Sequence, residues 1–298
     1  MRLFSRMGLG AICAGFLLLS VSAPTGAITN GTNATNATQY GNIGSLWTSE
    51  TTTLGTDYYF ICSGIFVTPT VFLTASHCIA LTRAYAAQYG LPSPTFHIST
   101  SSSFGGCAQS ECSQPPCSLS TPCHKPPSSW ITVNLVDLNP SFRLSQGLGN
   151  AYVGDVSALT VASGESGLNS FTNFPMDPTM NYLGELAASH TLSQGSTFSV
   201  FGLGSGVRQV GTLSFNSLTN DFIYESQVST PTDPSAGACV GDSGGPNMLN
   251  RLQPNPVLVG LTSTGDTYCN ATNVASRLDT LEVQNFLKTV PGLKNWLS

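Results

Sequence analysis

Ala238-Cys239-Val240-Gly241-Asp242-Ser243-Gly244-Gly245-Pro246 decides how this chain is read. A serine hydroxyl is a weak nucleophile until a base takes its proton. The oxyanion formed on an attacked carbonyl needs preorganised donors, usually backbone amides. Glycines on both sides of Ser243 let the backbone turn tightly and bring a substrate carbonyl close to the main chain. Gly241 and Ser243 can then aim two N–H groups at one spot. Asp242, between them, is a carboxylate in apolar surroundings and requires a cationic partner. A surface turn with an incidental serine would explain Asp-Ser-Gly alone. It does not explain the six-residue string with a cysteine two residues before it.

The base lies in Leu73-Thr74-Ala75-Ser76-His77-Cys78, which follows an apolar run over residues 65–73. With Gly241–Pro246, this motif resembles the chymotrypsin/trypsin family of secreted serine proteases, and the order, His then Ser, is the family's. The resemblance covers about residues 28–290. It implies an all-β fold of two six-stranded antiparallel β-barrels, with the active site between them and a C-terminal helix. It also implies peptide-bond hydrolysis through an acyl-enzyme on Ser243. The alternative is a protease-like binding module without catalysis. Such modules usually lose the His, Asp or Ser, and this chain has all three.

The imidazole needs an acceptor to hold its tautomer and stabilise the imidazolium. Asp155, in Gly154-Asp155-Val156-Ser157-Ala158-Leu159, resembles the family's aspartate before an apolar strand. Asp137, in Val136-Asp137-Leu138-Asn139-Pro140, resembles the loop upstream of it. Asp155 is the expected partner of His77, 78 positions on, and a Cys-rich insert at about residues 101–129 accounts for the long gap. Ser263, in Leu261-Thr262-Ser263-Thr264-Gly265, occupies the family's Ser-Trp-Gly strand. There its hydroxyl would bond the aspartate and its backbone would pair with substrate. Thr264 replaces the tryptophan, which loosens that side of the groove.

The family's pocket base falls six residues before the nucleophile, at Gly237. Glycine offers no counter-charge, and a buried Lys or Arg side chain would be costly there. Gly265 keeps the pocket entrance open and Asn273 narrows the opposite wall. Together they imply an uncharged, apolar or aromatic residue before the scissile bond. Ile28-Thr29-Asn30-Gly31 resembles the family's mature N-terminus, whose ammonium would pair with Asp242. Ala27 before it suits a signal peptidase, so signal cleavage itself is expected to expose Ile28.

Residues 1–27 read as a signal peptide. Arg2 and Arg6 precede an apolar core at residues 9–21 that is short for a bilayer span. The chain from 28 to 298 is then one protease domain, secreted, and off the membrane once the signal is gone. Over all 298 residues 8% are charged and the net charge is −5, which argues against nucleic acid. Protein or peptide substrates and a monomer are expected, with no cofactor and no metal. Cys13 leaves with the signal, and an even count of eight cysteines remains, pointing to disulfides in an oxidising compartment. The resemblance pairs Cys62 with Cys78 and Cys239 with Cys269. Cys107, Cys112, Cys117 and Cys123 pair among themselves, secretion favouring oxidation over zinc held with His124. Four sequons, at Asn30, Asn33, Asn36 and Asn270, are acceptors for glycans on a eukaryotic secretory route. Short Val/Ile/Phe/Tyr/Thr-rich runs separated by Gly, Pro, Asn and Ser predict strands at 58–67, 71–74, 95–100, 130–138, 156–161, 197–203, 211–215, 222–228 and 256–263. Helical patterning is nearly absent until the end, where Asp279 is expected to cap a helix through Leu287.

Overall fold

The computed structural model describes residues 28–52, 55–104, 123, 125–144, 152–168, 181–227, 236–250, 256–266 and 268–294. The signal-peptide reading of residues 1–27, and Cys107, Cys112, Cys117 and His124, lie outside them. Among these described residues, sixteen strands and four helices follow one another. The first half holds β1 (Thr32–Asn33), α1 (Ala37–Tyr40), β2 (Ile43–Thr52), β3 (Gly55–Thr68), β4 (Val71–Thr74), α2 (Ser76–Gln88), β5 (Thr95–Ser99), β6 (Ile131–Thr132), β7 (Leu135–Leu138), β8 (Arg143–Leu144), β9 (Tyr152–Val153) and β10 (Ser157–Thr160). The second holds α3 (Tyr182–Ala188), β11 (Thr197–Gly202), β12 (Gln209–Leu218), β13 (Phe222–Ser226), β14 (Pro246–Asn250), β15 (Val257–Gly265), β16 (Thr272–Arg277) and α4 (Leu281–Thr289).

The fold is mostly β and antiparallel, as expected, in two units. In the second, β12-β11-β14-β15-β16-β13 closes into a six-stranded barrel through an added β12–β13 pairing, with β1 on its outside. A register shift between Phe215 and Ser217 makes the closure. Residues 209–214 of β12 pair with β11, and 214–218 pair with β13. A bulge of this kind bends a strand and raises its twist, which lets one strand serve both edges. Alternate residues point inward, so Phe198, Val200, Leu213, Ile223, Val259 and Ala275 fill the barrel.

The first unit is a curled half-barrel sheet ordered β6-β5-β2-β3-β4-β10-β7. Its two edges flank one stretch of chain. The Val133 N–H bonds Phe96 O at 3.0 Å, and the next amide, Asn134, bonds Thr160 O at 2.8 Å. Leu46, Phe66, Phe72, Ile79, Ile98 and Leu159 fill it. A third cluster joins the units and includes Ile43, Trp47, Ile65, Phe201, Leu203 and Leu261. Helix α4 adds Val283, Phe286 and Leu287 to it. Removing a ring such as Phe286 from a core of this kind costs roughly 3–5 kcal/mol.

Two expectations are corrected. Helix α4 is capped by Thr280, whose Oγ1 accepts from Val283 N at 3.3 Å. Asp279 is committed elsewhere, to Arg277 through two 2.8 Å bonds and to Leu183 N at 2.7 Å. Helices also occur before the C-terminus. The 13-residue α2 escapes an apolar-stripe reading because its buried face is Ser76, His77, Cys78, Ile79, Thr82 and Ala86, mostly small or polar.

Candidate active site

His77 enters α2 one residue after its start, at the end of β4, so its backbone is fixed at a sheet edge. Asp155 starts the β10 side of the same sheet, and Ser157 on β10 pairs with Thr74 on β4. That pairing brings the two side chains together. Asp155 is fully buried. One of its oxygens accepts the His77 backbone N–H at 2.8 Å. The other lies 2.7 Å from His77 Nδ1 and 2.5 Å from Ser263 Oγ, which donates to it. A carboxylate at Nδ1 calls for a proton on that nitrogen, which leaves Nε2 as an acceptor. Tyr152 stacks on the imidazole with ring centroids 5.2 Å apart. Asp137 sits on β7 opposite Ala158 and makes no hydrogen bond to His77.

Ser263 reaches Asp155 because β15 is bulged there. Thr262 pairs with Ala275 and Thr264 with Val274, leaving Ser263 without a register partner. A bulge re-aims the residue it carries.

The Gly241–Gly245 turn is pinned to both units. Ser63 on β3 donates its N–H to Ser243 O at 2.9 Å and its hydroxyl to Gly241 O at 2.9 Å. Gly244 N–H bonds Thr262 O at 2.7 Å, next to Ser263. Gly241 (φ 91°) and Gly244 (φ 78°) take left-handed backbone that side chains rarely adopt. A Cβ at Gly241 would also sit 2.7 Å from Gly204 Cα. Within this turn the N–H groups of Gly241 and Ser243 bond no acceptor among the described residues. Ser243 is half-buried, and its hydroxyl has no hydrogen-bond partner there, His77 included. Nucleophile–base bonds are often long in unliganded sites and tighten with substrate.

His77, Gly241, Ser243, Thr262, Ser263, Thr264, Gly265 and Asn273 line one cleft of about 400 Å³ between the units. Gly237 is not on that wall. It pairs with Thr29 through bonds of 2.7 and 3.0 Å, and a Cβ there would lie 2.6 Å from Thr29 Oγ1. Behind Asn273 and Thr262 of the cleft wall lies a buried polar network, in which sequence reading named Asn273 and missed Glu225 and Asn247. Asn273 Nδ2 donates to Glu225 at 2.7 Å and to Asn247 at 3.1 Å, and Asn247 donates to Thr262 Oγ1 at 2.9 Å. Burial pushes the Glu225 carboxyl up to about 8 against the bond from Asn273, so it is mostly neutral at pH 7. Alternation along β13, with Ile223 and Glu225 both inward, was the signal that could have found it. At the cleft rim, burial alone would raise Asp266. The N–H groups of Thr272, Ala271 and Asn270 and the Gln227 amide outweigh it and hold that carboxyl low.

Asp242 is fully buried, and no cation pairs with it among the described residues. Burial lifts its carboxyl to about 7, against bonds from Cys239 and Gly204 N–H. It packs on Gly202 of β11. Ile28 is 1% exposed and packs on Gly211, which pairs with Val200 of β11. Val200 and Gly202 share a face one side-chain repeat, roughly 7 Å, apart along β11, so Ile28 and Asp242 are seated on one face of one sheet.

Disulfides join Cys62 to Cys78 and Cys239 to Cys269, as the resemblance implied. They fit an oxidising compartment. Cys123 is also disulfide-bonded. Cys62, His77 and Cys78 cluster closely, but both sulfurs are spent in the disulfide and cannot ligate a metal as thiolates. Among the described residues no helix is long and apolar enough to cross a membrane. No family model matches this chain, and no curated protein matches it. The architecture is that of a two-unit β protein with a cleft between the units, compatible with the chymotrypsin-like fold.

Proposed function

We propose that this protein is a secreted serine endopeptidase. The observation that carries the reading is convergence on one cleft. A buried carboxylate holds His77 with Nε2 as an acceptor, 3.7 Å from the disulfide sulfur of Cys78, a serine faces the same space, and two unspent amides lie in its turn. Ser243 Oγ attacks the scissile carbonyl carbon while His77 Nε2 takes its proton. The carbonyl oxygen becomes an oxyanion between the Gly241 and Ser243 N–H groups. Such donors are each worth a factor of about 10²–10³ in rate. The intermediate collapses with the C–N bond breaking, and His77 returns the proton to the leaving amine. Water, deprotonated by the same imidazole, then hydrolyses the ester on Ser243. Asp155 fixes the imidazole, stabilises its cation and is itself fixed by Ser263.

The neutral wall of Asn273 and Thr262, backed through Asn273 by a protonated Glu225, supports an uncharged residue before the scissile bond. The Ile28 ammonium, released by cleavage after Ala27, is the cation that Asp242 lacks, and its pairing sets the Gly241–Ser243 amides. The test is hydrolysis of a mixed peptide library by the purified protein and by Ser243→Ala. The proposal expects cleavage by the first and nearly none by the second. Equal rates would end it.

A further inference from the structure

Arg208 lies just before β12 at the seam of the two units and is 1% exposed. A buried guanidinium is normally paired with a carboxylate or satisfied by a full set of acceptors. Arg208 has neither among the described residues. It spends two of its five N–H groups, on Thr100 O at 2.6 Å and Ala34 O at 3.4 Å. Its Nε is buried with no partner. Burial without any compensating charge pulls its pKa down to about 10.

The surroundings of this guanidinium are built from hydroxyls. A cavity of about 360 Å³ is lined by Arg208 with Thr100, Ser101, Ser102, Ser103, Ser128 and Ser129. Two pairs of these hydroxyls are spent on each other, Ser101 with Ser128 at 2.8 Å and Thr100 with Ser129 at 3.0 Å. The hydroxyls of Ser102 and Ser103 have no hydrogen-bond partner among the described residues. A forked cation with spare donors, beside spare hydroxyl donors and with no acidic side chain among the described residues of the lining, has the donor set of an oxyanion site.

We propose that this cavity binds a tetrahedral oxyanion, phosphate or sulfate, on Arg208 with the Ser102 and Ser103 hydroxyls completing its shell. The consequence is structural as well as local. Arg208 N–H bonds Ser102 O at 2.8 Å, and Arg208 O accepts from Ala34 N at 2.8 Å. The residue thus ties the entry to the Cys-rich stretch and the N-terminal segment that carries Ile28 onto the second barrel. An anion on the guanidinium neutralises the charge that otherwise strains this junction. The site stands whether or not the cleft hydrolyses peptides.

The experiment is thermal unfolding of the purified protein against sodium phosphate and sodium sulfate, with chloride holding ionic strength constant, beside ³¹P line broadening of inorganic phosphate. The proposal expects saturable line broadening and a melting temperature that climbs with the logarithm of anion concentration, the folding equilibrium being shifted about elevenfold at ten times Kd. Arg208→Met abolishes it. Ser102→Asp places a carboxylate in the cavity, raises the melting temperature in anion-free buffer and removes the phosphate response, which keeps the test decisive should Arg208→Met not fold. A sulfated monosaccharide run in parallel separates sources. If it outcompetes inorganic sulfate the anion is carried on a glycan, and if it does not the free ion is the ligand. A rise of the same size in wild type and Ser102→Asp, or no line broadening, overturns the proposal.

Discussion

Asp242→Asn is expected to act in opposite directions on two forms of this protein, one extended upstream of Ile28 and one beginning at Ile28. In the extended form the carboxyl is buried without a cation and sits at about 7 rather than 3.8. That difference corresponds to roughly 4 kcal/mol. Because the folded pKa is raised, the stability is fully present below pH ~4 and is lost as pH rises through about 7. Above that point the extended form carries a buried, unpaired carboxylate. Asparagine has the same shape and no charge, so it relieves most of this cost at pH 8. For a domain of this size that is a rise of about 10 °C in Tm. In the form that begins at Ile28, the ammonium seated on the same sheet face pairs with Asp242, and asparagine breaks the pair. That variant stays folded but loses stability and most activity. The pair also has an alkaline limit. The carboxylate raises the ammonium pKa, so the pair holds below that raised value and is lost reversibly as pH climbs through it. The assay is a set of four melts at pH 5 and pH 8, on both forms with Asp or Asn at 242. If the substitution shifts Tm in the same sense in both forms at pH 8, the pairing of Ile28 with Asp242 is wrong.

Three further outcomes are expected. Asp155→Asn lowers kcat on the order of 10⁴-fold through the wrong imidazole tautomer, whereas Asp137→Asn, on the far side of β10, is mild; the reverse order of kcat values would move the third member. Ser263→Ala removes a hydrogen bond to a carboxylate, worth about 1.5–3 kcal/mol, and lowers kcat roughly tenfold to hundredfold with KM little changed; an unchanged kcat would show that Asp155 needs no such support. Peptides with Phe, Tyr, Leu or Met before the scissile bond are cut faster than Arg or Lys analogues, and a library profile led by Arg would contradict the neutral wall at Asn273 and Thr262.

What could be read from the chain depended on whether an element announced itself locally. The turn around Ser243 did, because its glycines answer a backbone demand visible in Gly241 and Gly244 at positive φ. Asp155 did, because an acid before an apolar strand starts a β10-like element, and the strand pairing then carries it to His77. Of the longer strands β2, β14 and β16 went unread. The first is rich in Ser and Thr, and the second is the short Pro246–Asn250 run, so neither of these two alternates cleanly. Helix α2 hid for the converse reason, a buried face of small and polar residues. The cap of α4 was misread by one position, since Asp279 and Thr280 are both good caps and only the Arg277 pair decides between them. The floor of the cleft was the least legible part. Gly237 was placed there by motif spacing, but its Cβ direction points at Thr29 and Cys269 O. Glu225, Asn247 and Asn273 meet only because three strands bring their inward positions together, a fact of register that no single stretch encodes.

The central claim is that His77 and Asp155 activate Ser243 within one cleft. A serine-directed phosphonylating probe, followed by peptide mass mapping, tests it most directly. The account predicts a single adduct on Ser243, approaching one per molecule, and its near disappearance in His77→Ala. No adduct on a folded protein, or labelling of Ser243 that is unchanged in His77→Ala, would contradict it.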